Sequence, residues 1–179
     1  MRVVSGTAGG LRLVAPPGRE TRPTSDRVRE ATFNALGSLG AIEGARVLDL
    51  FAGSGAMGIE ALSRGARHAT FVERDRTAIA AIRTNLASTG LDAMASVVAA
   101  DAMAFIVAQP EPFDVAVLDP PYGYDGWVDL LAGLPAELAV VESDRAVDPG
   151  EGWALVRSRR YGTTVVAIFR RDTPIAEVP

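Results

Sequence analysis

The 179-residue chain contains no cysteine and no lysine, and its only histidine is His68. Without cysteine there is no disulfide framework, no thiolate zinc site and no thiol nucleophile, so methylation of a base carbon through a cysteine adduct is excluded. Without lysine, the P-loop ammonium, Schiff-base chemistry and lysine general bases are excluded as well. A single histidine cannot build a His-based metal cluster, and no metal is expected. No run of 18 uncharged apolar residues could cross a bilayer. The opening Met1-Arg2-Val3-Val4-Ser5-Gly6 lacks the apolar core of a signal peptide, so a cytoplasmic protein away from membranes is expected.

What is there is ordinary for one globular domain. Hydrophobic residues make up 48% and charged residues 22%, and a chain this long buries roughly 70% of its unfolded surface. All 18 basic residues are arginine and the formal net charge is −4. The charge is unevenly spread: residues 1–30 hold six Arg against Glu20, Asp26 and Glu30, a balance of +3, which leaves −7 for the remainder. A short basic arm on an acidic body suits contact with a polyanion, although a solvated surface carries such an excess equally well.

Residues 1–24 combine Gly6, Gly9, Gly10, Pro16, Pro17, Gly18 and Pro23 with the apolar stretches Val3-Val4 and Leu11 to Val14, which reads as a hairpin and an extended connector. Ser25 is placed to cap a helix over 26–36, with Val28, Thr32, Ala35 and Leu39 on one side and Arg27, Arg29 and Glu30 in a polar first turn. From Arg46 the pattern alternates. Strands are expected over 46–50, 68–73, 96–100, 113–118 and 139–142, with helices over 54–64, 75–88, 101–107 and 127–134 between them. A closing hairpin, 153–159 with 163–169, turns at Tyr161-Gly162. Strands interleaved with helices in this way make a doubly wound α/β sheet.

The first strand-to-helix junction reads Asp49-Leu50-Phe51-Ala52-Gly53-Ser54-Gly55-Ala56-Met57-Gly58. Glycines 53 and 55 permit a sharp turn in which a ligand lies against main-chain N–H groups. Glu73 stands 20 residues after Gly53, at the end of the second strand, where a carboxylate accepts both hydroxyls of a ribose. Gly53, Gly55 and Gly58 with this Glu also match the dinucleotide fingerprint, which keeps an NAD-dependent oxidoreductase in view. Asp101 follows the third strand, its carboxylate suited to an adenine amino group and the Ala102 N–H to the ring. Glycine turn, Glu and Asp at three successive strand ends fit one adenosine-bearing ligand.

After the fourth strand comes Asp119-Pro120-Pro121-Tyr122. Two prolines fix the backbone and remove two donors, so carbonyls face a ligand beside the Asp119 carboxylate, with the Tyr122 ring free to stack on a base. An exocyclic amino group is a poor nucleophile because its lone pair is delocalised into the ring. Accepting its N–H groups at Asp119 and the Pro120 carbonyl favours a tetrahedral nitrogen whose lone pair can attack a sulfonium methyl.

With Arg22-Pro23-Thr24-Ser25-Asp26-Arg27-Val28-Arg29-Glu30 and Glu60-Ala61-Leu62-Ser63-Arg64-Gly65-Ala66 beside these motifs, residues 2 to about 171 resemble the RsmD family. These are bacterial methyltransferases acting on guanine N2 of 16S ribosomal RNA. The resemblance implies a class I S-adenosylmethionine-dependent, Rossmann-like fold: a doubly wound, seven-stranded mixed sheet over 25–179 with a small RNA-contacting hairpin over 1–24. It implies cofactor contacts at Asp49, Phe51, Gly53, Ser54 and Gly55, with Glu73 at the ribose and Asp101 with Ala102 at the adenine. Thr24 and Arg27 would close over the cofactor, although Arg27 suits a pair with Glu30 equally. Catalysis would fall to Asp119, Pro120, Pro121 and Tyr122. The partner implied is 16S rRNA, in an assembling small subunit or free, met by a monomer with no metal and releasing S-adenosylhomocysteine.

One departure from the family pattern is the hairpin, which has Thr7, Gly9 and Leu11 where basic residues are expected. RNA contact then rests on Arg2, Arg12, Arg19 and Arg22, with Arg157, Arg159 and Arg160 either joining them or guarding a strand edge. Trp127 and Trp153 read as core or rim packing. The motif chemistry leaves an adenine-N6 methyltransferase on DNA or RNA open beside the guanine reading, with a cofactor-free RNA-binding module as the non-enzymatic alternative.

Overall fold

A computed structural model describes residues 1–16, 26–108, 111–121 and 123–173. After α1 (Asp26–Ser38) the chain alternates β1 (Arg46–Leu50), α2 (Ala56–Ser63), β2 (His68–Glu73), α3 (Arg76–Thr89), β3 (Ala95–Ala99), α4 (Ala102–Ala108), β4 (Phe113–Leu118), α5 (Trp127–Gly133) and β5 (Ala136–Ser143). It closes with β6 (Trp153–Tyr161) and β7 (Thr164–Arg171). The seven strands form one sheet in the order β3-β2-β1-β4-β5-β7-β6. The first five are parallel, and β7 runs antiparallel between β5 and β6. This is the doubly wound α/β sheet expected from the alternation, with the seven strands and mixed directions that the resemblance implied.

Both faces of the central strands are covered because those strands are apolar on both sides, whereas the edge strand β6 is largely exposed. Val47, Phe71, Val115, Val117 and Val140 pack under α1, α2 and α3, while Leu48, Leu50, Ala116, Leu118 and Val141 pack under α4 and α5. The chain leaves β1 toward β2 and β3 and later returns to the other side of β1 with β4 and β5. A crevice therefore opens at the carboxyl ends of β1 and β4, where the winding reverses.

Several element boundaries differ from expectation for local reasons. Helix α2 begins at Ala56 rather than Ser54 because Gly55 is left-handed (φ 78°). A Cβ at Gly55 would come within 3.3 Å of Ile82 and Phe71, so this glycine carries the chain round the turn with its α-carbon toward the core. Asp75 caps α3 by accepting from the Thr77 and Ala78 N–H groups. Strand β5 starts three residues early, at Ala136, because it pairs with both β4 and β7.

Helix α1 and the residue that follows it depart furthest from what the sequence suggests. Leu39 is exposed, and Arg29 is fully buried instead of solvated. Arg29 lies one helical turn before Phe33, on the same stripe as Thr32 and Leu36, all of them buried. Its guanidinium meets Glu60 (3.5 Å), a buried carboxylate on α2, and Asp26 (2.8 Å), and it donates to the Arg2 carbonyl.

Glu60 and Ser63 fasten the N-terminal arm to the body. Glu60 accepts from Val4 N–H (2.7 Å) and Ser5 N–H (3.1 Å), and the Ser63 hydroxyl accepts from Ala8 N–H (2.9 Å). Asn85 on α3 accepts from Val14 N–H (2.8 Å) and donates to the carbonyls of Val14 and Ser54. The arm turns back on itself through pairing of Arg2 with Arg12, and Val3, Ala8 and Leu13 enter the core beneath it. Ser25, expected as the α1 cap, lies outside the described residues.

Candidate active site

Phe51 leaves β1 with φ 66°, a left-handed conformation that costs a non-glycine residue about 1 kcal/mol or more and is characteristic of functional turns. The turn is held by backbone bonds from Ala52 N–H to the Val72 carbonyl (3.1 Å) and from Gly55 N–H to the Ala52 carbonyl (2.7 Å). Beyond it opens a cleft of about 660 Å³, within the size range of pockets that enclose small molecules. Its walls include Phe51, Ala52, Gly53 and Ser54 from the turn, Glu73 and Arg74 at the end of β2, Asp101 and Ala102 after β3, and Asp119, Pro120 and Pro121 after β4. Four separate strand ends thus converge on one cavity, which the Asp-Pro-Pro corner and the glycine turn both line.

Asp49 lies beneath the turn and accepts from Gly58 N–H (2.8 Å) in the first turn of α2. Burial pushes its carboxyl up to about 7, with the Gly58 N–H opposing the rise and the negative charge of Glu73 adding to it. The folded protein therefore holds this proton above the pH at which the unfolded chain releases it. The contribution of Asp49 to stability is present below about pH 4 and is lost as pH rises to about 7. The melting temperature of Asp49→Asn, compared with the unchanged chain in thermal scans, rises from pH 5 to pH 8 and levels off above. A difference that stays flat across that range contradicts the assignment.

Glu73 has a second task. Its Oε2 accepts from Gly53 N–H (3.0 Å), and its Oε1 accepts from the N–H groups of Arg74 and Asp75 (2.9 Å each). The carboxylate that faces the cleft therefore also ties the glycine turn to the end of β2. Asp101 is exposed and stands two residues past β3; its Oδ1 accepts from Met103 N–H (3.0 Å) at the start of α4, and its Oδ2 lies 3.6 Å from Arg74.

Not every residue singled out in the sequence reaches the cleft. Gly55 shapes the turn without lining it. Gly58 packs against β2, since a Cβ there would sit 2.3 Å from the Phe71 ring. Arg27 is exposed and does not line the cavity. Arg2 and Arg12 are exposed on the arm. Thr24, Arg19, Arg22 and Tyr122 lie outside the described residues. Trp127 and Trp153 are buried, and the Trp153 indole donates to the Leu131 carbonyl (3.0 Å).

Other residues enter the cleft without having been foreseen: Met1, Met57, Tyr124 and Glu142. Tyr124 meets Phe51 edge-on at 5.8 Å and Trp127 at 5.1 Å between ring centroids. Its N–H donates to the Pro121 carbonyl (3.2 Å), which closes the loop behind the corner. Burial raises the Tyr124 hydroxyl above its usual range, helped by the charges of Asp101, Asp129 and Asp125. Among the described residues no three His, Asp or Glu side chains are grouped to hold a metal ion.

The lining joins the apolar Val72, Ala100 and Met103 to the carboxylates Asp49, Glu73 and Asp101 and to the glycine turn.

The family model described as Conserved hypothetical protein 95 matches residues 1–170. The chain belongs to this family. It is the RsmD family that the Arg-Pro-Thr and Asp-Pro-Pro-Tyr segments resemble. This family member is 35% identical over 96% of its length to the Ribosomal RNA small subunit methyltransferase D of Escherichia coli, 90% of which is covered. Its fold matches that of a solved hypothetical protein of Thermus thermophilus with a TM-score of 0.81, at 34% identity over 94% of this chain and 98% of that one. A solved structure complexed with SAH shares the fold at a TM-score of 0.66 and 16% identity, covering 81% of this chain and 48% of that one.

Proposed function

We propose that the chain transfers a methyl group from S-adenosylmethionine to the exocyclic N2 of a guanine in 16S ribosomal RNA, acting as a monomer in the cytoplasm. The observation that carries this reading is the convergence of an acceptor-only corner, Asp119 and Pro120, with the glycine turn and Glu73 in one cleft. S-adenosylmethionine, when bound, supplies a methyl group on a sulfonium centre. On this reading Glu73 accepts from the ribose hydroxyls, and Asp101 with the Ala102 N–H reads the adenine edge. Asp49 and the turn residues Phe51, Gly53 and Ser54 receive the charged tail.

The Pro121 carbonyl is engaged by Tyr124, so the amine of a target base meets the Asp119 carboxylate and the Pro120 carbonyl. Both accept its protons, which favours a tetrahedral nitrogen and localises the lone pair. The nitrogen forms its new bond to carbon as the carbon–sulfur bond breaks, and that electron pair leaves on sulfur as a neutral thioether. The alkylated nitrogen then releases a proton to Asp119 or water. A base reaches this corner only when unstacked, so a flipped or single-stranded nucleotide is required.

Incubation with small-subunit rRNA and labelled cofactor, followed by nucleoside digestion and mass spectrometry, tests the reading. N2-methylguanosine is expected. N6-methyladenosine as the sole product overturns the choice of base, and absence of any methylated nucleoside overturns the enzyme.

Strand pairing brings the far end of β6 to the same sheet edge as the cleft, because Tyr161 pairs with Thr164, and Ser143 at the carboxyl end of β5 pairs with Val165. Arg157, Arg159 and Arg160 are exposed there on an edge strand, suited to RNA phosphates. Each phosphate contact contributes about 0.7 to the logarithmic salt slope for single strands. Arg159→Ala with Arg160→Ala should flatten the slope of RNA binding by roughly 1.4, measured by filter binding between 50 and 200 mM salt. An unchanged slope assigns the phosphate contacts to another surface.

A further inference from the structure

Glu142 played no part in the sequence argument, yet it stands beside the reactive corner. Strands β4 and β5 are parallel and pair Leu118 with Val141. The next residues, Asp119 and Glu142, therefore emerge side by side, roughly one strand spacing (about 4.8 Å) apart at the backbone. Both are half-buried and both line the cleft. Val140, two residues before Glu142, belongs to the core under α2 and α3, as do Val47 and Phe71, two residues before Asp49 and Glu73. By the two-residue period of a strand, Glu142 shares their face. The end of β5 is also braced against the corner. Arg145 donates to the Tyr124 carbonyl (3.0 Å), and the Ser143 hydroxyl donates to the Arg145 carbonyl.

The chemistry of this pair discriminates between purines. A carboxylate at neutral pH only accepts hydrogen bonds, and a prolyl residue has no N–H to offer. Asp119, Pro120 and Glu142 thus present a row of acceptors. The corresponding edge of guanine presents a row of donors, N1–H beside the N2 amino group. Adenine pairs its amino group with an N1 lone pair, which would face a carboxylate oxygen. We propose that Glu142 accepts from guanine N1–H while Asp119 and the Pro120 carbonyl hold N2, which makes Glu142 the residue that selects guanine. The inference rests on the guanine-N2 reading above and adds the group that enforces it.

The base 2-aminopurine probes this contact, because it keeps the N2 amino group of guanine but carries a lone pair at N1; it also lacks O6, and the Glu142 variants separate that loss from the N1 contact. Small-subunit rRNA is assembled by ligation with either base at the methylated position and presented free and reconstituted with small-subunit proteins. A hydrogen bond to a charged group changes rates by about tenfold to a hundredfold, so the unchanged protein should prefer guanine by that factor in kcat/KM. In Glu142→Gln the amide can donate to a bare N1. Transfer to guanine should fall by about tenfold to a hundredfold and transfer to 2-aminopurine should rise, bringing the two within about threefold. Glu142→Ala should lose the preference without the gain. Binding of S-adenosylhomocysteine, followed by calorimetry, should stay within a few-fold in both variants.

A residue that merely supported β5 would lower both rates together and leave their ratio intact; that result overturns the role of Glu142. So does an unchanged protein that methylates both RNAs within about threefold, a measurement that needs no variant. A protein that methylates no guanine at N2 fails instead at the reading beneath.

Discussion

Asp119→Ala lowers methyl transfer at least about a thousandfold, the combined loss expected when a group that both orients and deprotonates the amine is removed, and leaves cofactor binding within a few-fold. The asymmetry follows from position. Asp119 follows β4, whereas Glu73, Asp101 and the glycine turn stand at the ends of β2, β3 and β1 on the other side of the switch point. Asp119→Asn is the sharper variant, since its amide keeps one acceptor but turns a donor toward the amine. It should recover no more than about a tenth of the activity, as one neutral hydrogen bond replaces a charged one. Single-turnover rates with saturating cofactor, alongside calorimetric titration of S-adenosylhomocysteine, read the two effects separately. Transfer within tenfold of the parent, with cofactor affinity intact, would remove the acceptor corner from the mechanism.

How far the site could be read from the chain depends on how local each signal is. The glycine turn, Glu73, Asp101 and the Asp-Pro-Pro corner are each encoded within a few residues, at junctions where apolar strand runs stop, and the α/β alternation already places such junctions on one edge of a sheet. Four strand ends around one cleft follow from that logic. Glu142 was missed because, although it closes the expected fifth strand, no glycine turn or proline corner follows it, and only the pairing of Leu118 with Val141 sets it beside Asp119. Tyr124 was overlooked for a related reason: its contacts with Phe51 and Trp127 come from loop closure, which no periodicity reports.

Arg29 was misjudged because a charge in a first helical turn ordinarily faces water. A signal existed on α2, whose eight residues Ala56–Ser63 include one charge, Glu60, and are buried throughout. A carboxylate on an otherwise apolar helix requires a cation from elsewhere, and Arg29 shares the apolar stripe of Phe33.

That buried pair carries the second large effect. Glu60→Ala removes the buried one of the two carboxylates that meet Arg29, whose side chain is 0% exposed and which keeps Asp26, and the acceptor for Val4 and Ser5 N–H. It also removes the contact with Arg64 Nε at 2.7 Å. Breaking a buried ion pair from one side costs about 3–5 kcal/mol, and in a chain of this size each kcal/mol moves Tm by about 2–4 °C. A fall of roughly 10 °C is expected. Replacing both charges, as in Arg29→Met with Glu60→Leu, removes the guanidinium that has lost its buried carboxylate but does not satisfy the two backbone donors, each worth about 1–3 kcal/mol when left without a partner. The double variant should therefore recover only part of the loss. Because Met1 lines the cleft and its sulfur accepts from the Ser54 hydroxyl (3.4 Å), loosening the arm should also weaken cofactor binding and speed hydrogen exchange over residues 1–16. Full recovery in the double variant would mean that the arm is held by its apolar residues Val3, Ala8 and Leu13, with Glu60 serving only to neutralise Arg29.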